Sequence, residues 1–202
     1  MNLEIKSFSG DEAKNLLQEV AKLRITVFRE YPYLYDGDLA YEMKYLETYM
    51  NSADYNLIIV TDHGQVVGAS TCLPLVQETM DIKQPFLEKG FDPANFMYFG
   101  ESVLLPEYRG KGIGHQFFDS REAITLNNGF ENAVFCAVQR VPDHPVKPEN
   151  YKSLEQFWLK RGYQKRDDLI TYMNWKDLDE DEESPKPMVF WLKQFRRSDS
   201  VA

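Results

Sequence analysis

The stretch "LLPEYRGKGIGHQFF", Leu104–Phe118, contains three glycines and two basic side chains within six residues. It follows an apolar, β-prone run and precedes residues whose apolar positions recur at helical spacing. A glycine-rich turn that leads from a strand into a helix points the N–H groups of the first helical turn at one place, where they bind phosphate. Arg109 and Lys111 add positive charge there. The stretch predicts a site for a phosphate-bearing ligand, and the alternative is a turn that only packs a helix closely against a strand.

Spacing excludes two other phosphate-binding motifs. A P-loop requires Ser or Thr directly after its lysine, whereas Gly112 follows Lys111. A dinucleotide-binding motif requires the spacing G-x-G-x-x-G. When the motif starts at Gly110, its third glycine, Gly114, comes one residue too early. When it starts at Gly112, Phe117 occupies the place of the third glycine. The pattern that remains is Arg109-x-x-Gly112-x-Gly114.

Composition indicates a globular protein with an acidic surface. The 202 residues are 43% hydrophobic and 14% aromatic, which is enough for a sizeable core. Asp and Glu number 32 against 23 Lys and Arg, for a formal charge of −9, so a broad basic face for nucleic acid is not expected. Six of the acids lie in Asp177–Glu183, which we interpret as part of a solvated loop.

The compartment follows from what the sequence lacks. No apolar run approaches the ~18 residues that span a bilayer, and the N-terminus has no signal-peptide pattern. Cys72 and Cys136 stand singly in apolar segments, without a spacing that indicates a metal or a disulfide. We therefore expect a cytoplasmic protein without a metal.

The order of predicted elements favours one mixed α/β domain. Periodicity predicts a strand, two helices, three strands, a helix, a strand, a helix and two strands. A sheet flanked by helices satisfies that order, whereas a doubly wound nucleotide fold requires stricter alternation. We expect a single domain over residues 1–202, with an acidic connection at 177–187 and a short flexible tail at 196–202.

Two segments resemble motifs of the GCN5-related N-acetyltransferase (GNAT) superfamily. "VLLPEYRGKGIGHQFF" resembles its acetyl-CoA-binding motif, R/Q-x-x-G-x-G/A after a strand, and "QFWLKRGY" resembles its late motif F-Y-x-x-x-G-F. The resemblance implies the GNAT fold, an α/β (α+β) arrangement with a mixed, largely antiparallel sheet of about seven strands and about four helices. It also implies acetyl-CoA (coenzyme A) as the acyl donor.

The resemblance assigns cofactor contacts residue by residue. The backbone of Ser102–Leu104 would bind the pantetheine arm as an added strand, and Gly110–His115 would surround the pyrophosphate. Trp158 replaces the tyrosine that most relatives use as a general acid, and its indole is a donor only, so we interpret it as core packing or a wall of the thioester pocket. The implied cofactor-binding residues are Ser102, Val103, Leu104, Arg109, Gly110, Lys111, Gly112, Ile113, Gly114, His115 and Trp158.

Three residues are candidates for the chemistry that the resemblance implies, direct transfer of acetyl to an amine in a ternary complex. A protonated amine must lose a proton before it attacks, and Glu101, just before the pantetheine-binding residues, is the candidate base. His144 and Tyr151, after the fifth strand, are candidates for acid–base work or for assisting the leaving thiolate. The alternatives are that Glu101 is an exposed strand glutamate or a member of an ion pair, and that His144 is only a solvated loop histidine.

The connection between the first two helices is the candidate acceptor site. Tyr31, Tyr33 and Tyr35 alternate along it and Asp36 follows, and aromatic faces with carboxylates suit a cationic amine. A tyrosine-rich loop packed on the sheet is the alternative. We expect a small-molecule amine as acceptor; the other functions left open are a non-catalytic CoA-binding module and a protein N-acetyltransferase.

The final strand predicts a second subunit. In "MVFWLKQF" both faces carry apolar residues, which a strand backed by solvent does not require. We therefore expect the terminal strand, within Pro187–Phe195, to pack against another copy in a homodimer.

Overall fold

A single seven-stranded sheet organises the chain. The computed structural model describes residues 1–50, 52 and 54–195. The strand order is β1-β2-β3-β4-β5-β7-β6, and every pair is antiparallel except the parallel pair β4 and β5. The predicted mixed, largely antiparallel sheet is confirmed. The strands are β1 Leu3–Ser9, β2 Asn56–Asp62, β3 Gln65–Pro74, β4 Phe96–Leu104, β5 Asn132–Val138, β6 Gln164–Trp175 and β7 Ser184–Gln194.

The described residues form six α-helices, two more than the sequence pattern predicted. The helices are α1 Gly10–Lys14, α2 Leu17–Phe28, α3 Leu39–Met50, α4 Met80–Glu88, α5 Ile113–Asn127 and α6 Glu155–Lys160. One predicted helix is divided into α1 and α2, and α4 was missed. Helix α4 contains Pro85, which the pattern treats as a helix breaker. Burial of Ile82 and Phe86 against the sheet outweighs that local preference.

Alternation along the strands divides the core into two layers. On β4, Phe96 and Tyr98 pack in a cluster with α4, whereas Met97 and Phe99 pack in a cluster with α5 and α6. Because successive side chains of a strand point to opposite faces, both faces of this central strand are covered. Helices α2, α3 and α4 therefore cover one face of the sheet, and α5 and α6 cover the other.

A β-bulge in β4 reverses this alternation. Ser70 of β3 pairs with Ser102, and Cys72 of β3 pairs with Phe99. Two residues of β4, Gly100 and Glu101, therefore lie opposite the single β3 residue between Ser70 and Cys72. The extra residue of a bulge shifts the face toward which later side chains point. Beyond the bulge, Val103 packs on the α2–α3 side although its odd position would otherwise place it on the α5 side.

The two apolar faces of the terminal strand, from which a homodimer was predicted, are explained by the position of this strand in the sheet. Strand β7 lies between β5 and β6, and Phe190 and Trp191 are 0% and 2% exposed. Phe190 packs against Phe86 of α4, and Trp191 packs against Trp158 of α6. Both faces of β7 are apolar because it is a central strand covered by helices of its own chain, so this strand gives no support for a homodimer.

The acidic connection is shorter than predicted, and part of it is buried. Strand β7 begins at Ser184, within the predicted connection, and Pro185 and Pro187 pair with β6. Asp177, predicted to be solvated, is only 3% exposed. Its carboxylate tolerates burial because it forms an ion pair with Arg140, whose Nη1 lies 2.6 Å from an Asp177 oxygen. The predicted tail at 196–202 lies outside the described residues.

Candidate active site

Strands β4 and β5 separate in the middle of the sheet. Their parallel pairing covers three positions and ends at Tyr98 and Val134. Strand β5 then continues beside β7 up to Val138, whereas β4 continues beside β3 up to Leu104. The β5-facing edge of residues 99–104 therefore has no strand partner in the described part of the chain. An extended ligand can add to such an edge through main-chain hydrogen bonds, and the predicted residues 102–104 lie on it.

The glycine-rich turn presents open backbone at the start of α5. Gly110 and Gly112 have φ of +74° and +84°, in the left-handed region that favours glycine, and Gly112 caps α5. A Cβ added at either glycine would have no heavy atom within 4 Å. Among the described residues, no hydrogen-bond acceptor faces the N–H groups of residues 110–114. These free N–H groups fit a phosphate-bearing ligand.

The two basic side chains of this turn brace it. Arg109 donates to the carbonyl of Leu104 at 3.1 Å and forms an ion pair with Glu30 at 2.7 Å. Lys111 donates to the carbonyl of Glu107 at 2.7 Å. The charge expected at the anion site is therefore partly neutralised by Glu30, and what the turn presents to a ligand is mainly its backbone.

Helix α6 packs beside this turn. His115 of α5 shares a hydrogen bond with Arg161 at 3.2 Å and lies against Phe157. Trp158 packs against Phe135 and Trp191, with ring centroids 5.0 Å away in both cases. These contacts place Trp158 against the core, and its predicted contact with the cofactor stays a prediction.

A pocket opens on the opposite face of the sheet, beneath α2 and α3. Its empty space is about 930 Å³, open solvent included. Seven tyrosines are among the described residues that line it, together with Phe28 and Trp175. Glu101 and Gly100 line it too, so the β4 bulge brings the predicted base to this pocket. The pocket is therefore the candidate site for an acceptor.

Arg24 of α2 lies at the centre of the pocket's charges. Its Nε lies 2.5 Å from an oxygen of Glu42, and its Nη1 lies 2.9 Å from Oε2 of Glu101. The guanidinium also lies over the rings of Phe28 and Tyr45. Burial lowers the pKa of Arg24, but the nearby Glu101 and Glu42 outweigh burial and hold that pKa above its usual range.

Two buried polar atoms in the pocket have no partner in the described structure. The side chain of Glu101 is 8% exposed, and its Oε1 is buried without a hydrogen bond. The hydroxyl of Tyr55, which also lines the pocket, is in the same situation. Buried polar groups are nearly always satisfied, so these two atoms indicate a place for a ligand that donates hydrogen bonds.

Glu78 is a third carboxyl group in the pocket, besides Glu42 and Glu101, and the sequence analysis missed it. It lies after β3 and the short turn Leu75–Gln77 and is 5% exposed. Burial raises the pKa of Glu78 to about 7, against hydrogen bonds from the Thr79 N–H and the Tyr49 hydroxyl that lower it. The signal that could have found it is an acid shortly after an apolar segment.

Only part of the predicted acceptor segment lines the pocket. Tyr33 and Tyr35 do, whereas Tyr31 packs against Tyr151, with ring centroids 4.7 Å apart. Asp36, predicted to bind the acceptor, does not line the pocket. Its carboxylate instead forms ion pairs with Lys176 at 2.8 Å and with Arg29 at 3.3 Å. The pocket's carboxyl groups are instead those of Glu42, Glu78 and Glu101.

His144 and Tyr151 lie with Tyr31, away from Glu101. The His144 ring is 5.7 Å from the Tyr31 ring, and the Nδ1 atom of His144 is buried without a partner. Neither His144 nor Tyr151 is among the described residues that line the pocket. The structure therefore brings two predicted catalytic residues to the acceptor segment, and their catalytic roles stay predictions.

The described residues contain neither a metal-binding cluster nor a membrane-spanning helix. No group of three or more His, Cys, Asp and Glu side chains there is arranged to hold a metal ion. None of the helices described has the length and apolar character that a membrane span requires. Cys72 and Cys136 are both free thiols.

Comparison with known proteins assigns the family. The family model described as "Acetyltransferase (GNAT) family" matches residues 19–148. The chain therefore belongs to the GNAT acetyltransferases, which confirms the resemblance in the glycine-rich stretch. No curated protein matches the chain.

Solved structures share the fold at low identity. An acetyltransferase from Streptococcus agalactiae is 16% identical with a TM-score of 0.57, over 96% of this chain and 99% of that one. The Salmonella typhimurium protein yncA, solved with its cofactor acetyl-CoA, is 11% identical with a TM-score of 0.60, over 98% of this chain and 96% of that one. The paia N-acetyltransferase from Thermoplasma acidophilum, in complex with coenzyme A, is 13% identical with a TM-score of 0.55, over 96% of this chain and 100% of that one. At these identities the likeness concerns the fold.

Proposed function

We propose that this chain is an N-acetyltransferase that moves the acetyl group of acetyl-CoA to the amine of a small molecule while both substrates are bound. The observation that carries the proposal is the unpartnered Oε1 of Glu101. This atom lies at the bulge of β4, between the open strand edge and the acceptor pocket. It is a buried proton acceptor at the junction of the two candidate binding sites.

The chain's backbone would bind the donor. The free N–H groups of residues 110–114 suit the pyrophosphate, and the open edge of residues 102–104 suits the pantetheine arm. Acetyl-CoA supplies a thioester as an activated acyl group. The two sites adjoin because Leu104 ends β4 only a few residues before the glycine-rich turn.

Glu101 would prepare the acceptor. An alkylammonium with a pKa near 10.4 must release a proton before its nitrogen attacks a carbonyl carbon, and Oε1 of Glu101 accepts that proton. The neutral amine then forms the N–C bond as the C–S bond of the thioester breaks, and the second proton of its nitrogen passes to the departing thiolate, which leaves the amide and free CoA thiol. A thiolate with a pKa near 8.5 needs little help to leave, which fits the presence of Trp158 where a tyrosine is common.

Direct transfer is favoured over an acyl-enzyme. Cys136 lines the pocket, and its Sγ lies 3.2 Å from the Tyr98 hydroxyl. Burial raises the pKa of the Cys136 thiol to about 12, so it stays protonated and is a poor nucleophile. Free thiols at Cys72 and Cys136 also support the proposal that the protein works in the reducing cytoplasm.

The lining of the pocket supports a small acceptor. Seven tyrosines, Phe28 and Trp175 form part of its wall, and unpartnered polar atoms lie at Glu101 and Tyr55. This combination is typical of a site that encloses a compact molecule.

The test is release of free CoA, followed with a thiol reagent, when the protein is incubated with acetyl-CoA and a panel of amines. Release that requires a small amine supports the proposal. Release only with peptide N-termini would make the chain a protein N-acetyltransferase. Acetyl-CoA binding in calorimetry without release for any amine would make it a non-catalytic CoA-binding module.

A further inference from the structure

The acceptor pocket holds more negative than positive groups. Among the described residues that line it, Arg24 is the one cation, whereas Glu42, Glu78 and Glu101 are carboxyl groups. Negative charges in a pocket with little water strongly disfavour another anion there. This excess of carboxyl groups therefore favours an acceptor that carries no negative charge.

Arg24 already has two carboxylate partners in the pocket. Its Nε and Nη1 bind Glu42 and Glu101, and the guanidinium lies over the rings of Phe28 and Tyr45. The Arg24 side chain is 11% exposed. A carboxylate that entered the pocket would have to compete with these two glutamates for the guanidinium, and displacing either one would leave a buried charge without its partner.

Other groups in the pocket favour a cation. Oε1 of Glu101 and the hydroxyl of Tyr55 are unpartnered, and both can accept an N–H from an ammonium. Tyrosine rings around them offer their faces to a positive charge. Glu78 adds a third carboxyl group, held by the Tyr49 hydroxyl and the Thr79 N–H.

We propose, building on the function proposed above, that the acceptors are primary amines without an acidic group, and that amino acids and phosphorylated amines are rejected. The geometry behind this proposal is Arg24 held between Glu42 and Glu101, beside the unpartnered atoms of Glu101 and Tyr55. Arg24 and Glu42 act as specificity residues, because their pairing removes the pocket's cation from use.

The test compares pairs of amines that differ only by a carboxylate, namely tyramine with tyrosine and cadaverine with lysine. The kcat/KM for acetylation and the affinity for the CoA-bound protein, by calorimetry, are measured for each member. We expect both quantities to favour the member without the carboxylate at least about tenfold, the factor that 1.4 kcal/mol corresponds to. Equal values, or preference for the amino acid, would overturn this inference and leave acetylation itself intact.

A variant separates specificity from a merely structural role. Glu42→Gln weakens one of the two partners of Arg24 and should raise the amino acid's kcat/KM relative to that of its decarboxylated pair member. A structural defect would lower both members of a pair alike, and an unchanged ratio in a folded variant counts against the inference. Should no amine of either pair bind or turn over while another amine of the panel is acetylated, this inference fails and the proposed function stands.

Discussion

The guanidinium of Arg140 and the carboxylate of Asp177 form a paired hydrogen bond across the acceptor segment, with distances of 2.6 and 2.9 Å. The same guanidinium donates to the carbonyls of Pro32 and Tyr33, both at 2.7 Å. Trp175 donates to Asp177 at 2.8 Å as well. A residue of the acidic run thus fixes the backbone that carries two of the pocket's tyrosines.

Asp177→Asn should therefore loosen the acceptor segment. Removing one charge of a buried pair typically costs about 3 to 5 kcal/mol, so we expect a loss of that order in the free energy of unfolding, measured with urea. We also expect the KM for the amine to rise more than the KM for acetyl-CoA. Asp179→Asn, at an exposed position of the same connection, is the matched control. A stable variant with an unaltered amine KM would show that the pair does not position the segment.

Gly112→Val should weaken binding of the donor. The added side chain would project from the turn whose N–H groups are free, and overpacking costs about 1 to 3 kcal/mol or more, so we expect at least about fivefold weaker CoA binding in calorimetry. Valine at a φ of +84° also strains the backbone. Gly129→Val, at a φ of +78° beyond the other end of α5, carries the same strain away from the turn. Should Gly112→Val bind CoA as well as Gly129→Val does, the glycine turn is not the phosphate site.

Glu101→Gln should remove the base. We expect turnover on the identified amine to fall about 10²- to 10⁴-fold while CoA affinity is retained, since general-base removal has effects of that size. Arg24 keeps its partner Glu42 in this variant, so the pocket retains one ion pair. Glu47→Gln, on the exposed side of α3, serves as the control and should leave turnover unchanged. Near-normal turnover in Glu101→Gln would move the search to His144 or to a chain of water molecules.

Glu78 should make stability depend on pH. Because burial raises the pKa of Glu78 from its usual 4.5 to about 7, the folded chain keeps a proton that the unfolded chain has already released. Between these two values the unfolded state binds fewer protons, so the free energy of unfolding falls as pH rises through this window. The fall should be on the order of 3 kcal/mol, since one pKa unit corresponds to about 1.4 kcal/mol.

Urea unfolding at several pH values tests this dependence. Glu78→Gln cannot ionise, so it should lack the decline between about pH 4.5 and 7 that the native chain shows. Glu88→Gln, an exposed position at the end of α4, should retain the decline. Parallel curves for the native chain and Glu78→Gln would show that Glu78 ionises normally in the folded protein.

Local sequence was sufficient for the features that depend on a few consecutive residues. Gly112 and Gly129 have positive φ, and the sequence around each predicts a turn at a helix end. The residues Asp62–Gly64 are typical of a hairpin turn, and β2 and β3 form a hairpin there. Such features follow from backbone conformations that neighbouring residues allow, so a sequence pattern identifies them.

The acceptor pocket, in contrast, was decided by tertiary structure. Arg24 and Glu42 are 18 residues apart, and Arg140 and Asp177 are 37 residues apart, so no local pattern pairs them. The bulge that turns Glu101 toward the pocket depends on the register between two strands, and Glu78 has its raised pKa only because distant segments bury it. The sequence by itself determined the family, the glycine turn and most of the sheet, because backbone preferences and hydrophobic periodicity are local. Only the packing of distant segments decided which charges meet in the pocket and how far each is removed from water, because Coulomb and desolvation energies depend on distance in space.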